Sequence, residues 1–184
     1  MGIFSDSLDK ATANTLTRPL PKSPQAQMRF LVKTAKGTRA AAEALGISRR
    51  TVERYVKGQI QQPRPELATR LTDEVRRRWQ PRVRAKARQQ AATTSGITIE
   101  TRARFGYTAA PGTTDDARIR LITQHLPPDY AARLLDAHTA GATDQRLQEI
   151  AAEGLQEVYF KDRGQRAPGL QVAFTDIDYV ELGF

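Results

Sequence analysis

Three groups of side chains have types and spacing suited to chemistry. The first is Ser48, Arg49, Arg50, Arg54 and Lys57, a hydroxyl and four close cations read together as a DNA-binding set. The second is Arg76, Arg77, Arg78, Arg82, Arg84, Lys86 and Arg88, seven cations with no acid between residues 76 and 88. Clustered guanidinium and ammonium groups bind phosphates, and each neutralised phosphate of a nucleic acid releases counterions. The third is the pair of hydroxyls Thr113 and Thr114 in AAPGTTDD, next to Asp115 and Asp116. A threonine just before a helix is ordinarily an N-cap worth ~1 kcal/mol, with aspartates favoured in the first turn by the helix dipole. Cysteine is absent and there are two histidines, which argues against thiolate or histidine-built metal sites. No convergent carboxylate, metal or nucleophile cluster points to an independent enzyme.

These cations need elements to position them. Ser23 offers an N-cap with Pro24 at the first helical position, and Met28, Leu31 and Val32 give a helical stripe as far as about Lys36. Next, TRAAAEALGISRRTVERYVKG fits a helix-turn-helix over residues 38–58. Ala41, Ala42 and Leu45 share one face, Gly46 supplies the turn, and Ile47 packs between the helices. Ser48 caps a second helix that buries Val52, Tyr55 and Val56. Arg49, Arg50, Arg54 and Lys57 then fall on the outward face, where a recognition helix carries its base and phosphate donors. A plain helical hairpin is the bland alternative. A further helix starts near Glu66 with Leu67, Leu71, Val75 and Trp79 at four-residue steps. Pro81 should kink or end it within the second cationic run, which lies along a phosphate backbone or is a solvated linker. Tyr55 and Trp79 could stack on exposed bases, though such aromatics are more often core. His125 and His138 read as packing or surface residues.

AATTSG at residues 91–96 marks a joint. From Ile97 to Tyr107 apolar and polar residues alternate, the pattern of a half-buried strand. AAPGTTDD is then a loop leading into a helix striped by Ile119, Ile122 and Leu126. Two more helices follow, over about 129–138 and 144–160. Leu170, Val172 and Phe174 return to strand alternation, and Tyr179–Phe184 is expected to pair with them. The expected class is α+β: a helical N-terminal half with a helix-turn-helix, then three helices with a small β-sheet. The expected domains are a basic DNA-binding domain over 1–92 and an α+β domain over 93–184.

Charge follows the same division. Residues 1–90 hold 20 Lys/Arg against seven Asp/Glu, while residues 91–184 hold nine against 13. A basic half beside a mildly acidic half suits one half to nucleic acid and the other to something else. No apolar run approaches the ~20 residues that span a bilayer, and the start lacks a secretory pattern. The composition therefore points to a soluble protein of a reducing compartment.

The chain resembles the Tpg-type telomere terminal proteins of actinomycete linear chromosomes and plasmids. The likeness runs nearly end to end. It is carried by KSPQAQMRFLVK, GISRRTVERYVKGQIQQPRPELATRL, RRRWQPRVRAKARQQAATT, TRARFGYTAAPGTTDDARIR, ATDQRLQEIAAEGLQEVYF and AFTDIDYVEL. A helix-turn-helix alone is generic, whereas RRRWQP and PGTTDDAR in this order are much more specific.

The resemblance implies a protein attached covalently to the 5′ ends of linear DNA. It would supply a threonine hydroxyl as primer for a DNA polymerase that patches the telomere end. The priming residue of the family is the second threonine of GTTDD, here Thr114. Implied partners are telomeric DNA with its single-stranded 3′ overhang, a telomere-associated protein and the polymerase, with the protein in the cytoplasm, on the nucleoid at telomeres. No membrane is involved. The strands of the second half could also pair between chains, giving self-association. Such a chain needs no cofactor of its own, because the polymerase's Mg²⁺ ions activate the hydroxyl. Helix-turn-helix cations also fit a transcriptional regulator or a nucleoid protein, neither of which forms a covalent adduct.

Overall fold

A computed structural model describes residues 2–108, 118–162 and 169–184, omitting the side chains of Tyr107 and Thr108. The apolar stripes sort into two cores, and the chain divides accordingly into two units, residues 17–81 and residues 1–16 with 82–184.

The first unit, Thr17–Pro81, is entirely helical. Helix α2 (Pro24–Thr34) opens as expected, with the Ser23 hydroxyl accepting from the Ala26 amide at 3.2 Å. Helices α3 (Thr38–Leu45) and α4 (Arg49–Val56) form the helix-turn-helix. Gly46 ends α3 at φ 62°, a left-handed conformation that costs a residue with a Cβ about 1 kcal/mol or more. Helix α5 (Pro65–Arg78) lays Leu67, Leu71 and Val75 on Met28, Leu31, Ala41, Leu45, Val52 and Tyr55, closing the core. It ends at the expected place: Trp79 is extended, Gln80 has φ 46°, and Pro81 begins α6 (Pro81–Gln90).

The second unit is α+β. Its sheet has order β2-β1-β3, with both outer strands antiparallel to β1 (Ile97–Thr108). The alternation of β1 is the expected one. Ile97, Ile99, Thr101, Ala103 and Phe105 are buried, while Thr98, Arg102 and Arg104 are exposed. Helices α7 (Pro128–Thr139) and α8 (Asp144–Leu155) contribute Ala131, Leu134, Leu135, Leu147, Ile150 and Leu155 to the same core. A π-helical turn over Gln156–Phe160 finishes the segment expected as one helix to Phe160. Gly154 lies where α8 meets the sheet. A Cβ there would come within 3.0 Å of Leu126 Cδ1 and 3.2 Å of Tyr130 Cδ1, so the close approach offsets the helix-propensity cost of glycine.

Three expectations are corrected. Ile119–Leu126 is a strand, β2, not a helix. Ile122 and Leu126 are buried, but Ile119 and Leu121 remain 44% and 68% exposed. Pairing with β1 from Ile97↔Leu126 to Arg104↔Ile119 satisfies a ladder that a helix would have left open. The C-terminal segment is one long strand, β3 (Gln171–Gly183), and its two ends pair with β1 instead of with each other. Register shifts at Arg102/Ala103 and Arg104/Phe105 accommodate its extra residues as bulges.

The third correction is the boundary. Helix α1 (Ile3–Asn14) belongs to the α+β unit, because Phe4, Leu8 and Ala11 enter its core. The amides of Phe4 and Ser5 donate to Asp144 Oδ1 at 3.1 and 2.9 Å, a cap supplied by α8 to a helix that has none of its own. Ser7 Oγ accepts from the Leu182 amide at 2.8 Å. Residues 82–92 also belong here, so the division falls at Pro81/Arg82 and not at residue 92. Counted by unit, Thr17–Pro81 holds 15 Lys/Arg and five Asp/Glu, so the positive charge is concentrated in the helical unit.

Candidate nucleic-acid interface

Helix α4 is fixed at both ends. At its start, Ser48 Oγ accepts from the Thr51 amide at 3.1 Å and lies 2.8 Å from Thr51 Oγ1. Ser48 thus acts as a cap, with its oxygen already engaged. At its end, the Val56 carbonyl accepts from Gln25 Nε2 at 3.1 Å and Arg29 Nε at 3.2 Å, both on α2. Val52 and Tyr55 are fully or almost fully buried. Burial pushes the Tyr55 phenol above its usual pKa, against the opposing charge of Arg54.

With Val52 and Tyr55 inward, the helical period turns Arg50, Arg54 and Lys57 outward as one i, i+4, i+7 stripe, all exposed. They line a shallow depression with Glu53 and Gln59. Arg49, also exposed, donates from Nε to Glu53 Oε1 at 2.9 Å. The arrangement places a cationic helix face, on a rigid scaffold, where it can enter a groove or lie along a phosphate backbone.

The second cationic run divides between the two units. Arg76, Arg77 and Arg78 end α5 in the helical unit, and Arg82, Arg84, Lys86 and Arg88 lie on α6 in the other. Arg76 is 3.9 Å from Asp73 Oδ1. Arg77 reaches Glu74 Oε1 at 2.6 Å, and Arg78 pairs with the same carboxylate. Arg88 donates to the Leu135 carbonyl at 2.6 Å and to the Thr139 hydroxyl. It therefore closes the C-terminal end of α7, where a cation is also favoured by the helix dipole. Arg82 and Lys86 are exposed.

The aromatic residues weighed for stacking are committed elsewhere. Tyr55 is 3% exposed. Trp79 meets Phe30 edge-on at 4.7 Å and donates its indole N–H to the Arg18 carbonyl at 3.0 Å. His125 faces Thr98 Oγ1 at 3.5 Å, and His138 Nε2 lies 3.6 Å from Asp9 Oδ1. Among the described residues no group of three or more His, Asp or Glu could hold a metal, and no helix is long and apolar enough to cross a membrane.

Thr114 and the rest of PGTTDD lie outside the described residues. The flanking chain is described: β1 ends at Thr108 and its neighbour β2 begins at Ile119. The stripe Ile119, Ile122 and Leu126, expected in the helix after this loop, lies on strand β2.

Sequence reasoning missed Gln25 and Arg29, the residues that hold the end of α4. They are four apart on α2, but no local pattern ties them to Val56. It also passed over Glu53 and Gln59, whose place beside the cations follows from helical spacing.

Comparison of the chain with protein-family models, curated proteins and solved structures gave no match.

Proposed function

We propose that this chain is a DNA-binding terminal protein that primes telomere end synthesis on linear replicons. The observation that carries the DNA-binding part is the exposed stripe Arg50, Arg54 and Lys57 on a capped helix α4, in a unit with a large excess of cations. The priming part rests on the resemblance, above all on GTTDD.

In this reading the Thr114 hydroxyl oxygen attacks the α-phosphorus of a deoxynucleoside triphosphate in the polymerase. A phosphodiester to the side chain forms, the bond to the β-phosphate breaks, pyrophosphate leaves, and the hydroxyl proton passes to solvent. The polymerase's Mg²⁺ ions lower the barrier, and Thr114 is a primer and not a catalyst. Gly112 and Pro111 are residue types suited to a turn that presents such a hydroxyl.

The test is a labelling assay with polymerase, telomeric template, telomere-associated protein and labelled deoxynucleotides. Wild-type chain should acquire label that survives denaturation and maps to the PGTTDDAR peptide. Thr114→Ala should lose it, with the circular dichroism spectrum unchanged. Label on another residue would reassign the site. Salt-sensitive DNA binding without any label would leave a regulator.

A further inference from the structure

Phosphate binding does not explain Glu53. Glu53 lines the same depression as Arg50, Arg54, Lys57 and Gln59, where a negative charge opposes a polyanion. Its side chain is 40% exposed, and that of Arg49, its partner, is 69% exposed. We infer that the Arg49–Glu53 pair reads a G·C base pair in the major groove of double-stranded DNA. This rests on the DNA-binding reading above and names the form of DNA and the base pair recognised.

The chemistry is one of matching edges. Arg49 Nε holds Glu53 Oε1 at 2.9 Å, which fixes the guanidinium with its terminal amino groups still able to donate. The second carboxylate oxygen can still accept. The pair thus sets donors beside an acceptor on an exposed face of α4. In the major groove a G·C pair presents the complement: the N7 and O6 acceptors of guanine, then the N4 amine of cytosine. An A·T pair presents acceptor, donor, acceptor and a methyl group, so the second guanidinium donor would meet the adenine N6 amine in place of the guanine O6 acceptor.

The double-stranded form follows from the rings. Proteins that hold single strands without sequence readout stack bases on exposed aromatic side chains. The helical unit, all of whose residues are described, has three: Phe30, Tyr55 and Trp79. Tyr55 is in the core, and the other two pack on each other. What the unit offers DNA is a polar helix surface, which suits a groove.

The experiment uses the full chain as wild type, Glu53→Gln and Arg49→Ala. Duplexes are selected from a random library. The best site, its single base-pair variants and its separated strands are then titrated by fluorescence anisotropy at fixed salt. Wild type should prefer G·C over A·T at one position by about tenfold or more. Glu53→Gln should lose that preference while binding unrelated duplex as tightly or more tightly. Arg49→Ala should lose the same preference and bind all duplexes more weakly. A uniform gain for Glu53→Gln with base preference intact would reduce the pair to a helix-stabilising contact and overturn the inference. So would tighter binding of the separated strands than of the duplex. Chain that binds DNA without any base-pair preference sinks the inference alone, whereas chain that binds no DNA sinks the DNA-binding reading with it.

Discussion

Cations of one type separate into different roles once their partners are known. Arg50, Arg54 and Lys57 project from α4, whereas Arg88 is spent on the Leu135 carbonyl and the Thr139 hydroxyl. Arg54→Ala or Lys57→Ala should weaken DNA binding across sequences and lower the slope of log affinity against log salt by about 0.9 for each phosphate no longer neutralised. Arg88→Ala should leave that slope unchanged and instead lower the stability of the α+β unit by about 1.5 kcal/mol, read by denaturant titration. A fall in affinity and slope for Arg88→Ala equal to that for Arg54→Ala would place Arg88 on DNA after all. The sequence made the α4 stripe visible, because a helical period and two buried apolar residues fix it. It could not show the fate of Arg88, whose partners lie 47 and 51 residues away.

Elements differ in how far their own residues specify them. The start of α4 is local: Ser48 accepts from the Thr51 amide, and Ser48→Ala should cost about 1 kcal/mol by thermal melting of the intact chain. The segment Ile119–Leu126 is the opposite case. Its apolar residues Ile119, Ile122 and Leu126 fit a helical stripe, yet the buried pair Ile122 and Leu126, an even number of residues apart, fits one face of a strand equally well. The two structures make different demands on neighbours. In the strand, Ile122 is 2% exposed and Leu121 is 68% exposed. Ile122→Ala should therefore destabilise the α+β unit by about 2–4 kcal/mol, and Leu121→Ala by no more than about 0.5 kcal/mol. Equal losses at the two positions in a chemical denaturation series would contradict the observed register.

At the scale of the molecule, an N-terminal helix completes a core built mainly from the other end of the chain. Phe4, Leu8 and Ala11 are at most 1% exposed, among residues of β1, β3, α7 and α8. Removing residues 1–16 strips away that packing, the backbone bonds to Asp144 and the Ser7 bond to Leu182. The truncated chain should lose amide protection throughout the sheet in hydrogen exchange while Thr17–Pro81 keeps its own. Unchanged protection in β1 and β3 would show that α1 is dispensable. The concentration of charge in Thr17–Pro81 has a consequence at this scale too: non-specific DNA attraction should reside mainly in that unit.

By itself the sequence determined the helix-turn-helix, its cap, its glycine turn and its cationic face, since each depends on residues within a few positions of one another. It also determined the strand character of β1 through unbroken alternation. Only the tertiary structure decided that 119–126 is a strand, that Gln171–Gly183 is a single strand on β1, and that α1 joins the sheet. An amphipathic stripe states that a surface must be covered; which partner covers it depends on the complementary surfaces that distant segments present.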